Sequence, residues 1–378
     1  MHQTACRACG GASGELVLDL GEQPACDFFP LEDAPGPDPV YSLQMWLCAS
    51  CGLAQLASDA TVPEEPKGVE PAALVAQAAD AVRRVAGVGL LPHGASVAEY
   101  GSPHGGSWLG LLADRGLIPV ADGAQADVIV DCFGMMHAAD QVAAIADRAS
   151  RVAACGVLLL QYHSLDAIIR TGQWNALRHG HFAYYSTTAL SQLLASVGFS
   201  PRMAWQFDLY GGTVLLAARR DSDGDGGSDG SVRGVLAAEG RSGVRDPAIL
   251  RGLQRDARVR ARALHDWLAA KKAAGATVLG YGAASRAVAL LHLADVDRGL
   301  LDGVADASPA KQGLRMPGTR IPVISPAELI GRRPDAVLVF VSDLIGEVRA
   351  GYPEIEAAGG QWVDADQVSP ATGRSPQG

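Results

Sequence analysis

The chain has 378 residues with a formal net charge of −10, 48% hydrophobic and 19% charged, the balance of a globular protein long enough for two or three domains. The acidic surplus argues against a surface that tracks nucleic-acid phosphates, and no run approaches the roughly 20 apolar residues that cross a bilayer, so neither nucleic acid nor membrane is an expected partner. The opening MHQTACRACGG lacks the basic and then apolar pattern of a signal peptide, which makes a cytoplasmic location the expectation and leaves the oligomeric state open.

Seven cysteines in a reducing compartment favour metal ligation or burial over disulfides. Cys6 and Cys9 in CRACGG, and Cys48 and Cys51 in LCASCG, form two C-x-x-C hooks, each followed by glycine. Four thiolates complete a tetrahedral zinc with no open position for water, so a structural Zn2+ module is expected over residues 1–56. A redox dithiol or unliganded cysteines are the alternatives. Cys26, Cys132 and Cys155 lack paired spacing and read as buried small hydrophobes.

Residues 57–72 are rich in proline and acid and read as a connector, followed by a helix over 72–86. ASVAEYGSPHGGSWLGLL, residues 95–112, reads as a buried strand, a glycine turn over 101–106 and a helix, the opening of a nucleotide-binding βα unit. LIPVAD is a second strand, with Asp122 about 20 residues after the turn, where a ribose-binding carboxylate stands. ADVIVDCFGMMH, GVLLLQYHS and the pair in MAWQFDLYGGTVLLAARR supply further strands, with helices between them. A shortened, doubly wound Rossmann-like domain is therefore expected over 70–220.

DSDGDGGSDGSVR begins a stretch, 221–246, expected to be a linker. It lacks the bidentate glutamate of a calcium loop. Residues 247–274 carry apolar side chains at helical spacing, with arginines on a solvated face. TVLGYGAASRAVALL then repeats the strand, glycine turn and helix, with Gly280 and Gly282 in the turn. LDGVADAS and DAVLVFVSD add strands, so a smaller α/β domain is expected over 247–370. The overall fold class is α/β, and two such turns point to two anionic ligands.

Several of these stretches fall in the order of one family. The paired knuckles with GLAQL, the turn VAEYGSPHGG, the block RHGHFAYYS, the turn YGGT, GYGAASRA and the closing ADASPAKQGLRMPGTRIPV together resemble the nucleotide-sugar C-methyltransferases of deoxysugar biosynthesis, across nearly the whole chain. The resemblance implies an N-terminal zinc domain, a central S-adenosylmethionine domain and a C-terminal domain that helps hold a nucleotide sugar. It implies methylation of a sugar carbon beside a ketone through a base-generated enolate.

On that resemblance His181 matches the family's base, and imidazole suits the role because a neutral, accepting fraction exists at cytoplasmic pH. The plainer alternative is a loop histidine. His179 matches a positioning histidine, and Tyr210 stands where the family has the histidine of His-Gly-Gly-Ser. Glu99, Gly101, Ser102, Gly105 and Asp122 are the expected cofactor contacts. Arg178, Tyr281, Ser285, Arg286 and Lys311 are the expected substrate contacts.

Departures fall on the reacting centre. Gly180 replaces a glutamate and Arg178 a tyrosine, while only GAQA separates Asp122 from the next strand, where the family has a helix and another strand. The methyltransferase reading therefore stands beside two others: a cofactor-independent proton transfer on a nucleotide sugar, such as epimerisation, dehydration or elimination, and a non-catalytic homologue.

Overall fold

The computed structural model describes residues 4–60, 69–101, 106–221 and 227–368. Strands β1 (Gly14–Pro24), β2 (Val40–Cys48) and β3 (Ala54–Leu56) form an antiparallel N-terminal sheet. The central domain then runs α1 (Ala72–Gly87), β4 (Ser96–Tyr100), α2 (Leu109–Ala113), β5 (Ile118–Pro119), β6 (Ala126–Cys132), α3 (Gln141–Arg151), β7 (Val152–His163) and α4 (Leu165–Thr171). It continues with β8 (Ala183–Tyr184), α5 (Thr187–Ala195), β9 (Phe199–Phe207) and β10 (Thr213–Arg220).

The central sheet has the order β5-β4-β6-β7-β10-β9. Its first four strands are parallel, and β10 runs antiparallel to both β7 and β9. Val157 to Leu160 lie buried in succession, as a strand covered on both faces requires. The local starts are equally explicit: Asp140 caps α3 by accepting from the Ala143 N–H, and Ser186 caps α5 through Ala189 N–H. β8 leaves the central domain altogether and pairs with β3, Ala54 opposite Tyr184.

The short connection after Asp122 leaves β5 at the edge of the sheet beside β4, as the missing helix and strand lead one to expect. The exposed flank there is covered by side chains. Tyr100 lies between two guanidinium groups of α3, Arg148 at 4.0 Å and Arg151 at 4.6 Å from its ring centre. Its hydroxyl donates to Asp147 at 2.5 Å, and Arg148 Nε reaches the buried Asp131 carboxylate at 2.5 Å.

The stretch 221–246 is not simply a linker, because α6 (Gly230–Ser242) occupies much of it. Asp229 caps this helix, Val232 and Val235 are buried at its spacing of three, and Glu239 accepts the Thr187 and Thr188 N–H groups that open α5. The aspartate and glycine run in front of it conceals that short apolar face. The helix expected over 247–274 is likewise divided at Arg251 into α7 (Pro247–Leu250) and α8 (Gly252–Ala273).

The C-terminal domain runs β11 (Val278–Tyr281), α9 (Ser285–Leu293), β12 (Val304–Ala305), β13 (Val323–Ile324), α10 (Pro326–Gly331), β14 (Ala336–Val339), α11 (Ile345–Gly351), α12 (Glu354–Ala357) and β15 (Gln361–Asp364). Its sheet is wholly parallel in the order β13-β12-β11-β14-β15, which places a topological switch beside β11. The N-terminal sheet joins its core to this domain: Leu18, Leu43, Met45 and Leu47 pack in one cluster with Leu253, Leu264 and Leu290. Arg315 fastens the same junction with a bidentate bond to Asp38, at 2.5 and 2.7 Å. Among the described residues no helix is long and apolar enough to cross a membrane.

Candidate active site

The two sheets turn their carboxyl ends toward one another, the location in which open α/β sheets hold ligands. Between them lies a cleft of about 290 Å³. From the central domain it is lined by Phe133 beyond β6, His163 at the end of β7, Arg178, His181 and Tyr210. From the C-terminal domain come Tyr281, Ser285, Arg286, Asp306 and Lys311. Six of these expected residues far apart in sequence thus share one space with His181.

His181 is 7% exposed, and its Nε2 accepts a hydrogen bond from Arg178 Nε at 2.7 Å. The turn that pairs them is closed by the His181 N–H donating to the Arg178 carbonyl, and it passes through Gly180 at φ +80°. A side chain at 180 would be strained in that left-handed region, although no atom lies within 4 Å of its Cβ position. His179 does not face the cleft. It is buried against Tyr41 of β2, ring centres 5.9 Å apart, and burial lowers its pKa.

Tyr210 sits at φ +55° in the turn between β9 and β10. Gly211 after it lies at φ +75°, a left-handed conformation in which a side chain would be strained. Burial pushes the Tyr210 phenol up, against the pull of Arg286 and Arg178, so it is a proton donor at neutral pH. Across the cleft Arg286 lies 3.5 Å from Asp343, Ser285 donates to Asp27 at 2.5 Å, and Lys311 Nζ donates to the Ala283 carbonyl at 2.9 Å. Asp306 accepts the Ala283 N–H at 2.8 Å.

Of the expected cofactor contacts, Glu99, Gly101 and Asp122 lie at or just beyond the ends of β4 and β5, outside the described residues that line the cleft. Glu99 is committed to the start of α2, accepting from Ser107 Oγ at 2.5 Å and the Trp108 N–H at 2.8 Å. No described residue places an atom within 4 Å of a Cβ position at Gly101. The Asp122 side chain is 98% exposed, with Arg151 at 3.2 Å. Ser102 and Gly105 lie outside the described residues.

In the N-terminal module the four expected cysteine ligands converge, all sulfurs within 4.8 Å of one another. Cys6 and Cys51 are 3.4 Å apart and Cys9 and Cys48 3.6 Å, close to the roughly 3.8 Å edge of a tetrahedron with bonds of about 2.3 Å to zinc. The thiol hydrogen bond from Cys51 lowers Cys6 to about 5, so one thiolate forms readily.

Residues 6–65 match the family model of a zinc binding domain, and residues 208–365 match that of the C-methyltransferase C-terminal domain. Over 95% of its length the chain is 24% identical to C-methyltransferase NovU of Streptomyces niveus, covering 94% of that protein. The chain thus resembles the C-methyltransferases over nearly its whole length and is a methyltransferase-like enzyme. Among solved structures it is similar to an O-methyltransferase family protein of Burkholderia thailandensis, at 14% identity and a TM-score of 0.30 over 39% of this chain and 57% of that one. It is also similar to magnesium protoporphyrin IX methyltransferase of Synechocystis PCC 6803, at 12% identity and a TM-score of 0.29 over 41% and 90%.

The chain places two further imidazoles at its centre that no spacing argument singled out. His163 lines the cleft, and the His137 ring meets that of His181 edge-on at 4.5 Å. Burial, reinforced by Arg178, lowers His137 to about 4. Burial, reinforced by Arg286 and Arg178, lowers His163 to about 3. Both are neutral at pH 7. The available signal was position: each follows the carboxyl end of a parallel strand, in DCFGMMH and LLLQYHS.

Proposed function

We propose that this methyltransferase-like enzyme uses S-adenosylmethionine to methylate a carbon beside the ketone of a nucleotide-linked deoxysugar, with His181 as the base. The observation that carries this reading is the meeting, in one cleft, of a buried imidazole from the central domain with Ser285, Arg286 and Lys311 from the C-terminal domain. Removing a proton beside a carbonyl needs a neutral acceptor and donors for the oxygen that gains charge. His181 Nε2 is the acceptor. The protonated phenol of Tyr210 and the guanidinium of Arg178 are the donors.

The diphosphate of the substrate meets Arg286 and Lys311 together with the N–H groups that open α9, where the helix dipole favours an anion. S-adenosylmethionine supplies, when bound, an electrophilic methyl group for the carbon that has lost its proton. The backbone at Gly101 and the exposed carboxylate of Asp122 fit the amino-acid end and the ribose of that molecule. Glu99 holds α2 instead.

Calorimetric titration with S-adenosylhomocysteine is expected to give a saturable heat that Asp122→Ala weakens. Incubation with a nucleotide-linked keto-deoxyhexose and the methyl donor is expected to add one methyl group, read by mass spectrometry. No heat at high concentrations of both partners overturns the cofactor assignment. Proton exchange beside the ketone that proceeds equally well without the donor, and never leads to methylation, overturns the reaction.

A further inference from the structure

We propose that Arg178 is an anion-released latch on His181, an inference that rests on the reading of His181 as the base. A guanidinium only donates hydrogen bonds and stays charged. The 2.7 Å bond from Arg178 Nε to His181 Nε2 therefore fixes the ring as the tautomer with its proton on Nδ1. The one lone pair able to take a proton is the one Arg178 covers.

The pair is built so that only the side chain has to move. The Arg178 N–H donates to the hydroxyl of Tyr184 at 3.0 Å, and that hydroxyl donates back to the Arg178 carbonyl at 3.4 Å. Tyr184 is itself 1% exposed and belongs to β8, held by β3. The backbone is thus pinned from two sides, while the guanidinium, like His181, borders the cleft. Its charge is felt by His137, His163 and Tyr210 around the same space.

An anionic oxygen entering that space competes with a neutral imidazole for the guanidinium. A bond between two charged groups is roughly twice as strong as one to a neutral acceptor, so an anion that draws the guanidinium over and takes its Nε–H uncovers Nε2. The same movement sets the positive charge where the reaction needs it. The C–H proton passes to Nε2, the C–H electron pair becomes the enolate double bond, and the displaced carbonyl pair settles on the oxygen facing Arg178. With the pocket empty of anions, the base stays covered.

The test uses the full chain labelled with 15N-histidine, with inorganic phosphate as the probe and His181→Gln to assign the resonance. In the wild type, His181 Nε2 is expected to resonate as a hydrogen-bonded acceptor and to move to the free-acceptor position as phosphate saturates. Arg178→Met is expected to show the free position without phosphate and to bind phosphate about tenfold more weakly. Arg178→Lys, which keeps a donor, covers the case in which the methionine variant does not fold, and is expected to give a phosphate-dependent shift of smaller size. A wild-type resonance that does not move under saturating phosphate, an absence of phosphate binding, or variants that match the wild type overturn the latch. None of these readouts requires methyl transfer, so a chain that fails to methylate leaves the latch separately judged.

Discussion

Replacing Asp38 with alanine removes the carboxylate that receives three hydrogen bonds, two from Arg315 and one from the Gly318 N–H at 2.7 Å. The side chains of Arg315 and Asp38 are 3% and 8% exposed, so the guanidinium left behind is buried without its counter-charge. Breaking a buried pair from one side costs about 3–5 kcal/mol, and two charge-assisted bonds at about 1.5–3 kcal/mol each lead to the same range. The loss is read from equilibrium urea unfolding followed by tryptophan fluorescence. Burial raises the Asp38 carboxyl, yet Arg315 and Gly318 outweigh it and hold the folded value below the ordinary one. The stabilisation is therefore complete above the unfolded value of about 3.9 and is lost as pH falls through the lower folded value. A loss under about 1 kcal/mol for Asp38→Ala would refute the account of this junction.

His181→Asn is expected to slow removal of the proton beside the ketone by about 10²–10⁴-fold, measured as deuterium uptake by the nucleotide-linked ketone, and a tenfold or smaller effect would mean another base. Cys48→Ser is expected to abolish stoichiometric zinc in elemental analysis and to unfold the N-terminal sheet, and a variant retaining one zinc per chain would contradict the four-thiolate site. His137 and His163 titrate near 4 and 3 in the folded chain, below the unfolded value of about 6.5. Their contribution is present above that value and is lost as pH falls, so at pH 5 the native state is expected to lose at most about 2 kcal/mol for each. Urea midpoints that stay level between pH 7 and 5 would contradict it. Tyr100→Ala removes two guanidinium contacts worth about 0.5–2 kcal/mol each, and stability unchanged within about 0.5 kcal/mol would show that the truncated sheet edge needs no cover.

The GYGAAS turn and the paired cysteine hooks were legible because each depends on local spacing, while the glycine turn over 101–106 lies mostly outside the described residues. The convergence on the cleft was legible only as far as the strand-end rule carried it, which located the GYGAAS turn, whereas His181 was singled out on the family resemblance alone. His179 shares every local feature with His181 and still faces away, because the turn at Gly180 sends consecutive imidazoles to opposite sides: one to the cleft and one to Tyr41. Partners such as Asp27 for Ser285 and Asp38 for Arg315 lie 258 and 277 residues away, beyond the reach of any periodicity. The helix at Gly230–Ser242 was hidden for a different reason, since its buried face amounts to two valines and a glutamate.

The pairing of Ala54 and Gln55 with Tyr184 and Ala183 makes the metal-binding sheet part of the scaffold on which His181 is mounted. The Leu56 N–H also donates to the Phe182 carbonyl, one residue past His181. Excising the first sixty residues would accordingly not trim an appendage: it would strip the backbone beside His181 of its neighbouring strand and leave the cleft without that support.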